Sequence, residues 1–314
     1  MSAPDKPGAA TAGTYVSADV TARLMLVLLS LGWGVSWSAM RIALAEMPPF
    51  SMRVATMFIG AVTLGAMTAL RRRSFALRSP VLIGHVLASS VFNIIGFSVL
   101  TPFAQLYAAT SRVSILVYTM PIWASLLARV VLGERITRKH GSALALCVAG
   151  MMVLIYPLIG GGFPLGIVLA LGAAVSWAAG TVYLKWARME AEPLAITFWQ
   201  LVVGFVAVAI CQPVFEGPPH FWPLTPAAIV CLVFAGFVGS GIAYFLWFDI
   251  VRRVPAMTAS LGVLSVPAVA IVAAVLMLGE RPTIADVVGF ALILAASACV
   301  LLAPGGDAEP AEPT

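Results

Sequence analysis

Charge is what this chain of 314 residues has least of. Only 10% of its residues are Asp, Glu, Lys or Arg, against about a quarter in an ordinary soluble domain. That is too little polar surface to cover a globule in water. With 61% apolar residues and a mean hydropathy of +1.02, the solvent must be lipid. Cysteine is scarce too. Cys147, Cys211, Cys231 and Cys299 form no CxxC pair and lie in or beside apolar runs, so they read as small buried hydrophobes. HExxH, P-loop and GxSxG motifs are missing, as are paired aspartates on facing spans. Without concentrated carboxylates or thiolates there is no evident place for a metal. An enzyme, a cofactor and a metal site are therefore not expected. The net charge of +5 needs no nucleic-acid partner if the cations sit in loops on one side of a bilayer.

What is present is a duplication. Pro121, Gly133, Glu134, Arg135 and Thr137 return with the same spacing as Pro267, Gly279, Glu280, Arg281 and Thr283, with Ser114 and Ser260 each seven residues before the proline. A second pair supports the first: Leu29, Leu31, Gly32, Val35, Ser36 and Trp37 recur as Leu169, Leu171, Gly172, Val175, Ser176 and Trp177. Both lie in hydrophobic segments, and internal duplication in a bilayer points to a transporter.

A helix needs roughly 20 apolar residues to cross the hydrocarbon. Ten stretches qualify, at about 22–44, 50–70, 80–105, 109–132, 138–157, 164–185, 194–213, 226–249, 255–278 and 284–303. Pro48-Pro49, Arg71 to Arg73, Gly160 to Gly162 and Gly217 to Pro219 punctuate them, and Pro102 marks where the third can end. Residues 1–21 and 304–314 are expected as disordered cytosolic tails. Residues 1–19 lack the short hydrophobic core of a signal peptide. With the N-terminus inside, Arg23, Arg71, Arg72, Arg73, Arg78, Arg135, Arg138, Lys139, Lys185, Arg188, Arg252 and Arg253 collect on the cytoplasmic side, so both ends are expected there. Five spans per half is an odd number, so residues 22–157 and 164–303 form two five-helix repeats inserted upside down relative to each other. The expected fold is an all-α, polytopic membrane protein of ten helices.

The twin proline and Gly-Glu-Arg elements, the ten spans and the paired Ser-Trp helices resemble the drug/metabolite transporter superfamily, in its EamA-type branch. The likeness covers about residues 22–303. Within that branch the chain looks most like YddG-type exporters of aromatic and other neutral amino acids. The resemblance implies that spans one to four and six to nine surround a central cavity, while five and ten pack outside. It also implies export of aromatic or neutral amino acids, or similar metabolites, by alternating access at the inner membrane. Its partners would be the bilayer and a small solute, and a monomer would be the unit.

Trp33, Trp37, Trp177 and Tyr244 are the candidates for stacking on a solute. Mid-span indoles lie away from the interfacial belt and commonly face a neighbouring helix or a cavity. Packing explains each of them equally well. Trp123, Trp199, Trp222 and Trp247 lie nearer span ends and read as interfacial anchors. His85, Asn93 and Gln105 share the third span, and Gln200 lies in the seventh; polar groups in lipid should face inward, and these are candidates for polar contact. Pro121 and Pro267 are candidate hinges, since each removes a backbone donor within its span. Arg41, Arg53 and Arg112 stand near the outer face with Glu46 available as partner, which snorkelling and pairing explain. The Gly-Glu-Arg turns read as a helix stop with a local ion pair, and Thr283 with Asp286 as a capping box. Asp249 is placed to pair with Arg252 and Arg253. Two rivals remain at this level: an exporter of drugs or other metabolites, and a polytopic membrane enzyme or receptor. Facilitated movement, exchange and proton coupling are all left open.

Overall fold

The computed structural model describes residues 10–133, 138–158, 164–218, 223–253 and 265–301. Its described residues form ten helical spans: α1 (Ala10–Leu44), α2 (Pro49–Leu70), α3 (Pro80–Tyr107), α4 (Thr110–Val131), α5 (Arg138–Ile155), α6 (Leu165–Ala187), α7 (Pro193–Glu216), α8 (226–253), α9 (Val266–Leu278) and α10 (Ile284–Leu301). Seven are long and apolar enough to cross a membrane. Three shorter apolar stretches, Gly141–Ile155, Val266–Leu278 and Ile284–Ala296, complete the set. Helix starts are written in the sequence. Pro49, Pro80, Pro193 and Pro226 occupy first-turn positions, where a missing N–H costs nothing. Ser79 and Thr225 cap α3 and α8 through their hydroxyls.

The polarity is that of a lipid-solvated bundle. Phe58, Val62, Val206, Ile210, Val272 and Leu276 are exposed, while Ser36, Ser38, Thr56, Asn93, Gln105, Gln200 and Gln212 are buried between helices. With no water outside to satisfy them, polar groups turn inward.

Packing follows the duplication. If α1 to α5 correspond to α6 to α10, each contact has a counterpart. The α1–α9 contact matches α6–α4, α2–α8 matches α7–α3, and α2–α7 and α5–α10 map onto themselves. Equivalent small residues make equivalent close approaches. Gly60 of α2 meets Ser240 of α8, as Gly204 of α7 meets Ile94 of α3; Gly150 of α5 and Gly289 of α10 meet each other. A Cβ at Gly60, Gly204, Gly150 or Gly289 would overlap its neighbour, so the glycines set the helix separation. The halves are therefore interleaved through a pseudo-twofold axis, as an inverted repeat requires.

Three expectations change. The first helix begins at Ala10, inside the stretch expected as a tail; no proline lies between Pro7 and Pro48, and the alanines there favour helix. Pro102 lies within α3, which continues to Tyr107. Pro121 and Pro267 do not kink continuous helices. Each is the second residue of a helical segment, and α4 is interrupted at Tyr118 and Thr119 just before Pro121. Glu134, Arg135, Thr137, Gly160 to Gly162, Pro219, Trp222, Ser260 and the segment 304–314 lie outside the described residues.

Candidate functional site

Four helices, two from each half, bring aromatic rings together in the middle of the bundle. Trp33 of α1 meets Tyr244 of α8 edge-on, with centroids 6.0 Å apart. Tyr244 lies nearly parallel to Trp177 of α6 at 6.3 Å, and Trp177 meets Phe97 of α3 at 4.9 Å. Trp247 closes on Trp33 at 6.2 Å. Trp177 is twelve residues into α6, about 18 Å along its axis, which is mid-membrane. Of the residues singled out for stacking, Trp33, Trp177 and Tyr244 therefore converge. Trp247, expected as an interfacial anchor, packs half-buried in the same group. Phe97 was missed. The available signal was its place four residues after Asn93, on the same face of the third span.

Irregular backbone builds this group. Both α3 and α8 contain a π-helical stretch at equivalent positions, Val91–Gly96 and Ala235–Ile242. Wider turns leave carbonyls without their intrahelical partners. The Trp33 indole donates to the Gly239 carbonyl at 3.0 Å, and the Ser176 hydroxyl donates to the Phe92 carbonyl at 2.7 Å. The polar edge of Trp33 is thereby spent, leaving its ring for packing.

Arg53 of α2 is buried, at 7% exposure. Its Nε donates to the Ser98 carbonyl at 2.6 Å and its Nη2 to the Thr101 hydroxyl, both on α3. Pro102 explains the first bond: it has no N–H to give the carbonyl four residues earlier, which is that of Ser98. The expected snorkelling and pairing with Glu46 do not occur. Glu46 instead accepts from the backbone N–H of Thr225 at 2.7 Å and from its hydroxyl. Arg112 pairs with Asp286 at 2.7 Å.

The remaining candidates are dispersed. Asn93 is buried against Gly180 of α6, with its Oδ1 unpaired. Gln200 donates to Ser89 at 2.8 Å. Gln105 donates to the Trp37 carbonyl at 2.9 Å, and both side chains are enclosed in the core. His85 Nδ1 lies 2.9 Å from the Tyr183 hydroxyl, near Trp186; Tyr183 is six residues, about 9 Å, along α6 from Trp177. Trp199, expected as an interfacial anchor, donates to the Phe75 carbonyl outside α2. Trp123 donates to the Thr119 hydroxyl in its own span.

The second Gly-Glu-Arg turn is not a local ion pair. Gly279 ends α9 in the left-handed region at φ +67. Glu280 reaches across to the other half and accepts from the backbone N–H groups of Thr110 and Ser111, at 2.6 and 3.0 Å. Thr283 and Asp286 form the expected capping box on α10. A mostly apolar cleft of about 210 Å³ between α4, α9 and α10, lined by Ile115, Ile271 and Phe290 among others, lies apart from the aromatic group.

An inverted pair of five-helix bundles enclosing a mid-membrane aromatic group is the architecture of a polytopic carrier. The sequence profile of the EamA-like transporter family matches residues 20–156 and again 164–302, and the chain belongs to that family, within the drug/metabolite transporter superfamily. It is a family of transporters, not of enzymes. Among its relatives is the "Uncharacterized transporter YoaV" of Bacillus subtilis, 26% identical over 87% of this chain and 94% of the relative. Another is the "Probable amino-acid metabolite efflux pump" of Salmonella typhimurium, 24% identical over 86% and 91%. A solved crystal structure superposes with a TM-score of 0.63 at 25% identity, covering 89% of this chain and 96% of that one.

Proposed function

We propose that this chain is a secondary transporter of the inner membrane that exports aromatic and other neutral amino acids, or similar small metabolites, by alternating access. The observation that carries the reading is the meeting of Trp33, Trp177, Tyr244 and Phe97 at mid-membrane, on helices from both halves. A wall shared by two repeats changes shape when one half rocks against the other. Aromatic faces there suit an apolar or aromatic side chain. Amino-acid metabolite efflux pumps among the relatives support the same solute class. The cations Arg71, Arg72, Arg73, Arg78, Lys185 and Arg188 share one end of the bundle, which supports a topology with both termini cytoplasmic.

Uptake of labelled phenylalanine into proteoliposomes, against a panel of amino acids and with and without a pH gradient, tests this. Trp177→Ala should raise KM several-fold or abolish flux while the purified protein stays monodisperse. His85→Ala should reduce flux if the His85–Tyr183 pair lies on the path. Absence of competition by phenylalanine or tryptophan, with flux of unrelated drugs, would transfer the carrier to the drug-exporting branch.

A further inference from the structure

Arg53 is a buried cation in a membrane span, and no acidic side chain pairs with it among the described residues. Its Nε and Nη2 are engaged by α3, but Nη1 has no hydrogen-bond partner there. A guanidinium offers five N–H donors, and leaving charge unmatched in a low-dielectric interior is costly. Such a residue in a bilayer is retained when something pairs with it. The Tyr244 hydroxyl also makes no hydrogen bond among the described residues, and Arg53 and Tyr244 lie within electrostatic reach of each other. Tyr244 is the ring shared by Trp33 and Trp177, and Ser98, which holds Arg53, directly follows Phe97. The guanidinium of Arg53 is thus bonded to α3 one residue along the chain from Phe97 of the aromatic wall. Described carboxylates stand elsewhere. Glu46, Glu216, Glu280 and Asp286 cap helix ends, and Asp249 lines a shallow cleft with Arg71, Arg73 and Glu192.

We infer that Arg53, held on α3 next to Phe97 of the aromatic wall, is the anchor for a carboxylate on the transported solute, so the site takes aromatic or apolar carboxylates and refuses amines that lack one. This rests on the carrier reading above and narrows it. A guanidinium held on two of its edges presents the remaining N–H groups in a fixed plane, which suits a carboxylate. The anchor is asymmetric: a cation for the acid group, but no anion for an ammonium. Aromatic faces offer the ammonium a weaker cation–π contact. The carboxylate should therefore matter more than the amine.

The test compares L-phenylalanine, 3-phenylpropionate (no ammonium) and 2-phenylethylamine (no carboxylate) on the purified carrier. Ligand-induced thermal stabilisation in detergent and competition for flux in proteoliposomes are both read. Wild type should bind phenylalanine and 3-phenylpropionate within about tenfold of each other, and 2-phenylethylamine at least tenfold more weakly. Arg53→Gln should weaken both carboxylates by about tenfold to a hundredfold, and Arg53→Lys should restore part of the loss. Equal binding of amine and carboxylate, or an unchanged KM in a folded Arg53→Gln, would overturn the assignment. If Arg53→Gln fails to fold, the three-ligand comparison on wild type decides alone. Stabilisation by 3-phenylpropionate without phenylalanine flux would sink the amino-acid reading and keep the carboxylate anchor. Stabilisation by none of the three removes the anchor, whether or not phenylalanine is carried.

Discussion

The two ends of the bundle are tied differently, although the same pseudo-twofold axis relates the helices that reach them. At one end, carboxylates from one half cap helix N-termini of the other. Glu216 accepts from the N–H groups of Phe50 and Ser51 and from the Ser51 hydroxyl, at 2.6 to 2.9 Å. Glu280 does the same for α4, and Glu46 for α8. Each bond joins an anion to backbone donors that have no helical partner. Among the described residues, the ties at the other end are looser. Arg73 and Glu192 are 3.8 Å apart, the first exposed and the second half-buried, Arg71 stacks over Phe245 at 5.0 Å, and Trp199 reaches the Phe75 carbonyl. Symmetry of fold thus does not impose symmetry of locking. The carboxylate end is latched across the repeats, and the ties described at the arginine end are longer or more exposed. In the proposed orientation, with the arginine end cytoplasmic, this structure is latched on the outer side and freer on the inner one.

Breaking the latch should have the largest effect. Hydrogen bonds to charged acceptors contribute about 1.5–3 kcal/mol each when well enclosed, and helix caps about 1 kcal/mol. We expect Glu216→Ala with Glu280→Ala to shift the balance toward the state open at that end by about tenfold or more. A cysteine introduced at Ser51 or Ser111 should then label faster with a membrane-impermeant thiol reagent, and the melting temperature should fall. Unchanged labelling would show that close packing, not the carboxylates, shuts this end.

Loosening the arginine end should do less. Arg73→Ala removes a long, partly exposed pair of a kind that contributes about 0–1 kcal/mol. Labelling of a cysteine at Leu194, which lines the neighbouring cleft, should rise by no more than about fivefold. An effect equal to that of the double glutamate variant would erase the contrast between the ends.

Much of this contrast was legible in the sequence, but not its wiring. The spans, the repeat and the asymmetry of cations follow from hydropathy and spacing, because lipid tolerates few solutions. The convergence of Trp33, Trp177 and Tyr244 had a trace in the duplicated Ser-Trp helices. What escaped were contacts between residues far apart in the chain. Glu280 looked like the neighbour of Arg281, yet it serves Thr110 of the other half. Arg53 looked like a snorkelling cation because nothing local reveals that Pro102, on another helix, frees a carbonyl for it. Trp37 and Gln105 were candidates for a cavity wall, yet both are enclosed in the core, where Gln105 donates to the Trp37 main-chain carbonyl. Periodicity reports the faces of a helix; it does not report which helix will meet them.

The smallest expected effect concerns pH and separates the charge of the latch from its shape. The Thr225 hydroxyl, and then its backbone N–H, hold the Glu46 carboxyl below its ordinary value of 4.5. A depressed acid contributes stability that is fully present above the ordinary value and is lost only as pH falls through the lowered one. Glu46→Gln keeps an acceptor oxygen for Thr225 and removes the charge. The difference in melting temperature between wild type and Glu46→Gln should therefore be small and constant from pH 7 down to pH 5. Below the ordinary carboxylate range it should close, as wild type comes to resemble the amide. A gap that already closes between pH 7 and pH 5 would mean that Glu46 is not held in its charged form by Thr225. The cross-repeat cap on α8 would then depend on geometry alone, unlike its better enclosed counterpart at Glu216.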